Sequence, residues 1–129
     1  MFVLRRLGKI CLAMIFVRGG FDAARHPGSR PARVAAFGLP APELAVRANG
    51  SVMVLAGSAL ALNLWPRVAA VVLTASLLPT TVVGHPFWKE TEGAARAGQR
   101  TQFLKNLGLL GGLLMVAAEP SPSEQCSSE

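Results

Sequence analysis

The chain has 129 residues, enough for one domain, of which 51% are hydrophobic and only 16% charged. A soluble domain of this size carries about 25% charged residues, and here the apolar residues come in blocks, which points to several membrane spans rather than one oily core. The net charge of +6 does not read as a nucleic-acid surface, because the basic residues lie in the gaps between apolar blocks, tyrosine is absent and aromatics make up 6%.

The first apolar block runs from Phe2 to Gly20 and is interrupted by Arg5, Arg6, Lys9 and Arg18. Its clean stretch, Ile10 to Val17, is shorter than the roughly 20 residues that a span requires. A basic start followed by a short apolar run has the form of a secretory signal. Arg18 closes the run, however, and no small-x-small site follows. The expectation is an uncleaved first helix whose arginines sit at the interface or point inward.

Residues Phe21 to Glu43 read as a loop, broken by Pro27, Pro31, Pro40 and Pro42 and solvated at Arg25, Arg30 and Arg33. A short interfacial helix from Arg33 to Phe37 fits within it. The second block spans Leu44 to Trp65, and Asn63-Leu64-Trp65-Pro66-Arg67 reads as a tight connection, with Trp at the interface and Pro at a helix start. So short a link makes the second helix and the third block, Val68 to Val83, an antiparallel hairpin. Pro79 falls inside the third block, where the hydroxyls of Thr80 and Thr81 are expected to serve the carbonyl it frees and a kink is expected near His85.

His85-Pro86-Phe87-Trp88 marks the point where the third helix meets water: aromatic rings suit the headgroup level and Lys89 snorkels outward. Lys89 to Arg100 reads as a polar loop. The fourth block runs from Thr101 to Ala118, with Lys105 and Asn106 in its first turns, and Glu119-Pro120 stops it. The expected organisation is a membrane domain over 1–118 and a disordered polar tail over 119–129. Gly108 and Gly112 form a G-x-x-x-G and Gly57 with Ala61 a weaker pair, spacings that let helix backbones approach. Packing within the chain is the preferred reading of both, with a homo-oligomer as the other.

Four spans put both termini on one side. Arg18, Arg25, Arg30, Arg33, Arg47, Lys89, Arg96, Arg100 and Lys105 fall in or beside the two polar loops, against Arg5, Arg6, Lys9 and Arg67 on the other side. The positive-inside rule then favours cytoplasmic polar loops.

Several pieces together resemble one family. Pro79-Thr80-Thr81-Val82-Val83-Gly84-His85-Pro86-Phe87-Trp88, followed by Phe103-Leu104-Lys105-Asn106-Leu107-Gly108-Leu109-Leu110-Gly111-Gly112-Leu113-Leu114, looks like the DoxX family of small bacterial membrane proteins. Ile15-Phe16-Val17-Arg18-Gly19-Gly20-Phe21-Asp22-Ala23 resembles its first helix and Arg47-Ala48-Asn49-Gly50 the start of its second, so that the likeness covers residues 4 to 118. The resemblance implies an all-α, transmembrane four-helix bundle in the bacterial plasma membrane, multi-pass. It also implies a role as subunit or anchor of a redox or sulfur-stress complex, with soluble redox or sulfurtransferase enzymes as partners. Arg18 stands where an apolar residue is expected, and Asn63 where a small glycine is usual.

The remaining chemistry gathers at one membrane level. Arg47 and Asn49 open the second helix, His85 ends the third, and Lys105 and Asn106 open the fourth, beside Phe87 and Trp88. Ionisable groups bordering a span are costly and find partners or face inward. These seven residues form a candidate site for an anionic or quinone-like headgroup, with His85 as proton carrier or donor. Snorkelling and helix-end hydrogen bonding account for the same cluster.

His26 and His85 are the only histidines, and neither they nor Cys11 and Cys126 have metal-ligand spacing, so no metal is expected. No flavin or nicotinamide fingerprint is present, which leaves a quinone as the one cofactor in view and an intrinsic one unexpected. A quinone-linked oxidoreductase is therefore the alternative to the subunit reading. A lipid or small-solute carrier, resting on Ser58, Asn63, Thr74 and Ser76, is the second alternative.

Overall fold

The computed structural model describes residues 1–120. Among them the chain is all-helical: α1 (Phe2–Arg25), α2 (Arg30–Ala36), α3 (Pro42–Ala61), α4 (Pro66–Gly84) and α5 (Gly93–Ala117), with a 3-10 turn at Phe87–Lys89. The expected tail from Ser121 onward, with Cys126, lies outside the described residues. The count is five α-helices rather than four, because the short helix that fitted at Arg33 to Phe37 within the proline-broken segment forms at Arg30–Ala36, with Pro31 in its first turn and alanines after it. Lys89 to Arg100, expected as a polar loop, is helical from Gly93 onward: Ala94, Ala95, Arg96, Ala97 and Gln99 are strong helix formers and outweigh Gly98. The match to the first block is closer, although α1 runs on to Arg25.

Two helices, α3 and α4, are long and apolar enough to cross a membrane. Much of the outer surface is large and apolar, including Leu55, Val71, Leu78, Leu104 and Met115. An aqueous surface rarely carries so much contiguous apolar area, and lipid accommodates it.

The core lies between the long helices. Phe16, Leu60, Leu73 and Leu113, one from each, are fully buried. On α1 the buried residues are Lys9, Ala13, Phe16, Gly20 and Ala23, and on α3 Val46, Gly50, Met53, Gly57 and Leu60 recur with the same alternation of four and three, joined by Ala56. Such spacing makes the narrow seam of knobs-into-holes packing.

Gly20 and Gly50 cross where the seam is tightest. A Cβ on Gly20 would stand 2.6 Å from the Gly50 carbonyl oxygen, and one on Gly50 would stand 2.6 Å from the Gly20 carbonyl oxygen. The G-x-x-x-G at Gly108 and Gly112 is not such a crossing. A Cβ at Gly108 meets nothing within 4 Å, and one at Gly112 meets only the Leu12 side chain. Gly57 does pack closely, against Val17 and Phe16 of α1.

The link between α3 and α4 explains Asn63. Asn63 has φ +58°, a left-handed conformation that glycine adopts freely and asparagine tolerates best among other residues. The Leu64 N–H donates to the Ala59 carbonyl and the Asn63 N–H to the Leu60 carbonyl. These two bonds form a Schellman motif closing α3. Arg18, the other departure, points outward from α1 and leaves the core unchanged.

Pro79 is handled differently from expectation. The Thr80 and Thr81 hydroxyls donate to the carbonyls of Ser76 and Leu77, each at 2.8 Å. Pro79 frees the carbonyl of Ala75, so the hydroxyls serve its neighbours instead.

Candidate functional site

The end of the molecule holding the C-termini of α1 and α4 and the N-termini of α3 and α5 is roofed by α2. Arg33 of α2 donates from Nη1 to the Gly84 carbonyl at 2.7 Å, covering an orphan acceptor at the end of α4. Arg30 ties the other end of α2 to α1 through Asp22 at 2.7 Å and also donates to the His26 carbonyl. Asp22 lies in the last turn of α1, beyond the apolar stretch. The hydrogen bond from Arg30 holds its carboxyl below the usual carboxylate range; desolvation opposes it, and the charges of Arg30, Arg18 and His26 each add a smaller lowering effect.

The seven residues singled out in the sequence do gather at this end, but in three groups. Asn49 and His85 line one cavity of ≈ 640 Å³ beneath α2, between α1, α3 and α4. The Asn49 amide donates to Thr80 Oγ1 at 3.1 Å and to Met53 Sδ at 3.6 Å. His85 Nδ1 meets Gln99 Oε1 at 2.8 Å; a carbonyl oxygen only accepts, so Nδ1 carries the proton. Lys105 and His85 line a second, shallower hollow of ≈ 550 Å³ along the first turns of α5, with Arg33, Gln99 and Gln102.

Arg47, Asn106, Phe87 and Trp88 lie outside both hollows. Arg47 pairs with Glu43 at 3.0 Å and donates to the Ala24 carbonyl at 2.6 Å, which ties α3 to the end of α1. The Asn106 amide donates to Thr81 Oγ1 at 3.1 Å and links α5 to α4. Phe87 and Trp88 pack edge-on with Phe103 of α5, at centroid distances of 5.3 and 6.1 Å. Lys89 lies 4.0 Å over the Phe37 ring and so fastens the 3-10 turn to the chain just past α2.

Arg33 was read from the sequence as a solvated residue at the start of a short interfacial helix, not as part of the site, and Gln99 was not singled out. The short run Arg30-Pro-Ala-Arg-Val-Ala-Ala carries the signal for the former: a proline at a helix start, followed by helix formers, with two arginines three apart. Nothing in the sequence marks Gln99 beyond its helix turn.

A second polar cluster lies at the opposite end. Lys9, 7% exposed, donates from Nζ to Glu119 Oε2 at 2.6 Å and to Asn63 Oδ1 at 3.2 Å. Arg67 Nε donates to the Ala117 carbonyl nearby. From the sequence Lys9 reads only as an interruption of the first apolar block, and Glu119 only as a helix stop. The signal for Lys9 was its place on the four-and-three repeat with Ala13, Phe16, Gly20 and Ala23. Among the described residues, no three His, Cys, Asp or Glu side chains come together as a metal site.

Comparison with known proteins adds one match. Residues 4–86 fit the DoxX family model, from α1 to the second residue after the end of α4. Phe87-Trp88 and the Phe103 to Leu114 part of the resemblance therefore lie beyond the matched segment. No curated protein and no solved structure matches the chain.

Proposed function

The chain belongs to the DoxX family, and on that premise we propose that it is a multi-pass protein of the bacterial plasma membrane serving as a non-catalytic subunit or anchor of a redox or sulfur-stress complex. The observation that carries this reading is the polar platform at the α2 end. There α2, the 3-10 turn and the first two turns of α5 are cross-tied by Arg33 to Gly84, Lys89 to Phe37 and His85 to Gln99. The apolar surfaces of α3 and α4 suit lipid, whereas this end offers a fixed, cationic surface on which soluble enzymes can dock. The basic residues concentrated in it favour a cytoplasmic side under the positive-inside rule. Gentle solubilisation of the tagged protein, followed by identification of co-purifying proteins, tests the reading. Reproducible recovery of redox or sulfur-transfer enzymes is expected, and their consistent absence would overturn it.

A quinone-linked activity of the chain itself is the second reading, favoured by Asn49, Thr80 and His85 sharing the wall of one cavity. It requires that His85→Ala reduce quinone binding and turnover.

A further inference from the structure

The two hollows under α2 share Arg33 and His85 on their rims. The larger is walled chiefly by apolar side chains, among them Val34, Val46, Met53, Pro79 and Val83. Its ≈ 640 Å³ lies within the range of about 300–1,000 Å³ typical of small-molecule sites. The smaller is lined mainly by polar residues and opens along α5 past Gln102 to Lys105. One molecule with an apolar chain and a polar head has the shape to occupy both.

The charge of the head follows from which groups remain uncompensated. Arg30 also lines the larger cavity, but Asp22 neutralises it. Arg33 spends one nitrogen on a neutral carbonyl, and among the described residues neither it nor Lys105 has a carboxylate partner. No aspartate or glutamate lines either hollow. Asn49 is engaged with Thr80 and His85 Nδ1 with Gln99, which leaves the amide groups of Gln99 and Gln102 as neutral donors at the smaller hollow. A neutral ring carbonyl would meet those amides, whereas an anion meets two uncompensated cations, and charge-assisted hydrogen bonds are the stronger ones. The planar guanidinium of Arg33 keeps further donors for a phosphate or carboxylate.

We propose that this junction binds an amphiphile with a single apolar chain and an anionic phosphate- or carboxylate-class headgroup. The chain lies in the larger cavity, the headgroup lies between Arg33 and Lys105, and α2 forms the roof. The proposal rests on the membrane reading above but not on any partner enzyme. Binding is therefore measured on the purified full chain alone, and its failure is distinct from a failure to recover partners.

The test is native mass spectrometry in non-ionic detergent with four probes: a long-chain alkyl phosphate, the same chain bearing phosphocholine, inorganic phosphate, and a short-chain ubiquinone analogue. The alkyl phosphate is expected to bind about tenfold or more tighter than the phosphocholine compound, a difference of one charge-assisted contact. Inorganic phosphate alone is expected to bind weakly, since it leaves the larger cavity empty. Arg33→Gln and Lys105→Gln should each lower alkyl-phosphate affinity about tenfold, Arg33→Lys should restore part of the loss, and Arg96→Gln, outside both hollows, should leave it unchanged. Circular dichroism checks that each variant keeps its helix content.

Equal retention of the two chain-bearing probes would overturn the proposal, as would indifference to the Arg33→Gln/Lys105→Gln pair in a folded protein. Inorganic phosphate binding as tightly as the alkyl phosphate would show a free-anion site and overturn the role of the chain. Displacement of the alkyl phosphate by the ubiquinone analogue at equal concentration would assign the cavity to a quinone and overturn it as well.

Discussion

Replacing Glu119 with glutamine probes the ion pair that joins the start of α1 to the chain just past α5. The Lys9 side chain keeps 8% of its surface exposed and Glu119 26%, and their charged atoms are 2.6 Å apart, too close for a water between them. Glu119→Gln leaves a buried ammonium facing two neutral amides. Removing one partner of a buried pair costs about 3–5 kcal/mol, and the partial exposure of Glu119 places this loss near 3 kcal/mol. Lys9→Met keeps the packing of the stem and strands a carboxylate that can turn toward water, so a smaller loss of about 1–2 kcal/mol is expected. The double variant Lys9→Met/Glu119→Gln removes both charges with the same two substitutions and should lie within about 2 kcal/mol of the native protein, because no buried charge is left without a partner. Together these values imply a coupling of at least about 2 kcal/mol. Reversible unfolding by sodium dodecyl sulfate in mixed micelles, followed by far-ultraviolet circular dichroism, measures all three. Additive losses, with coupling below about 0.5 kcal/mol, would refute the claim that this pair clamps α1 to the end of α5.

The glycines give opposite expectations in the same assay. Gly50→Ala puts a Cβ 2.6 Å from a backbone carbonyl and should cost about 1–3 kcal/mol by overpacking, whereas Gly108→Ala, with nothing within 4 Å, should be neutral or stabilise by up to about 1 kcal/mol through helix propensity. At the α3–α4 link, Asn63→Val should destabilise more than Asn63→Gly, because only the former resists φ +58°; equal losses would assign the role of Asn63 to its Lys9 contact alone. The Asp22–Arg30 tie has a definite pH sense. The folded pKa of Asp22 lies below its ordinary 3.8, so the tie contributes fully above that value and is lost as pH falls through the lower, folded one. The protection factors of the α2 amides, taken relative to the intrinsic exchange rate at each pH, should therefore stay constant at neutral and mildly acidic pH and fall only in strong acid, and Asp22→Asn should remove the acid transition.

Apolar blocks, prolines and the Trp65-Pro66 punctuation made the all-helical class and the α3 and α4 segments legible, because lipid-facing helices are apolar on nearly every side. The extension of α5 back to Gly93 was hidden by a polar, glycine-containing composition whose alanines nonetheless favour helix. The tight crossing at Gly20 and Gly50 was not visible as a motif within either helix, since it joins one glycine from each. At the candidate site, position along the helices correctly gathered Arg47, Asn49, His85, Lys105 and Asn106 at one end. Sequence could not show that Arg47 and Asn106 are spent on neighbouring helices while Arg33 stands at the junction of the hollows, because that depends on how α2 folds back over α4. The burial of Lys9 was not visible for a related reason: near Arg5 and Arg6 it reads as one more basic residue at a helix start, and the partner that draws it inward lies at the far end of the sequence.

Cysteine accessibility most directly tests the claim of a multi-pass membrane protein with its cationic platform in the cytoplasm. In a background with Cys11 and Cys126 replaced by serine, single cysteines at Ser29 and Arg96 report the platform and one at Leu64 the α3–α4 link. A membrane-impermeant maleimide should label Ser29→Cys and Arg96→Cys only in inside-out vesicles, and Leu64→Cys only in intact spheroplasts. Labelling of all three from the same side would contradict a chain that crosses the membrane along α3 and α4.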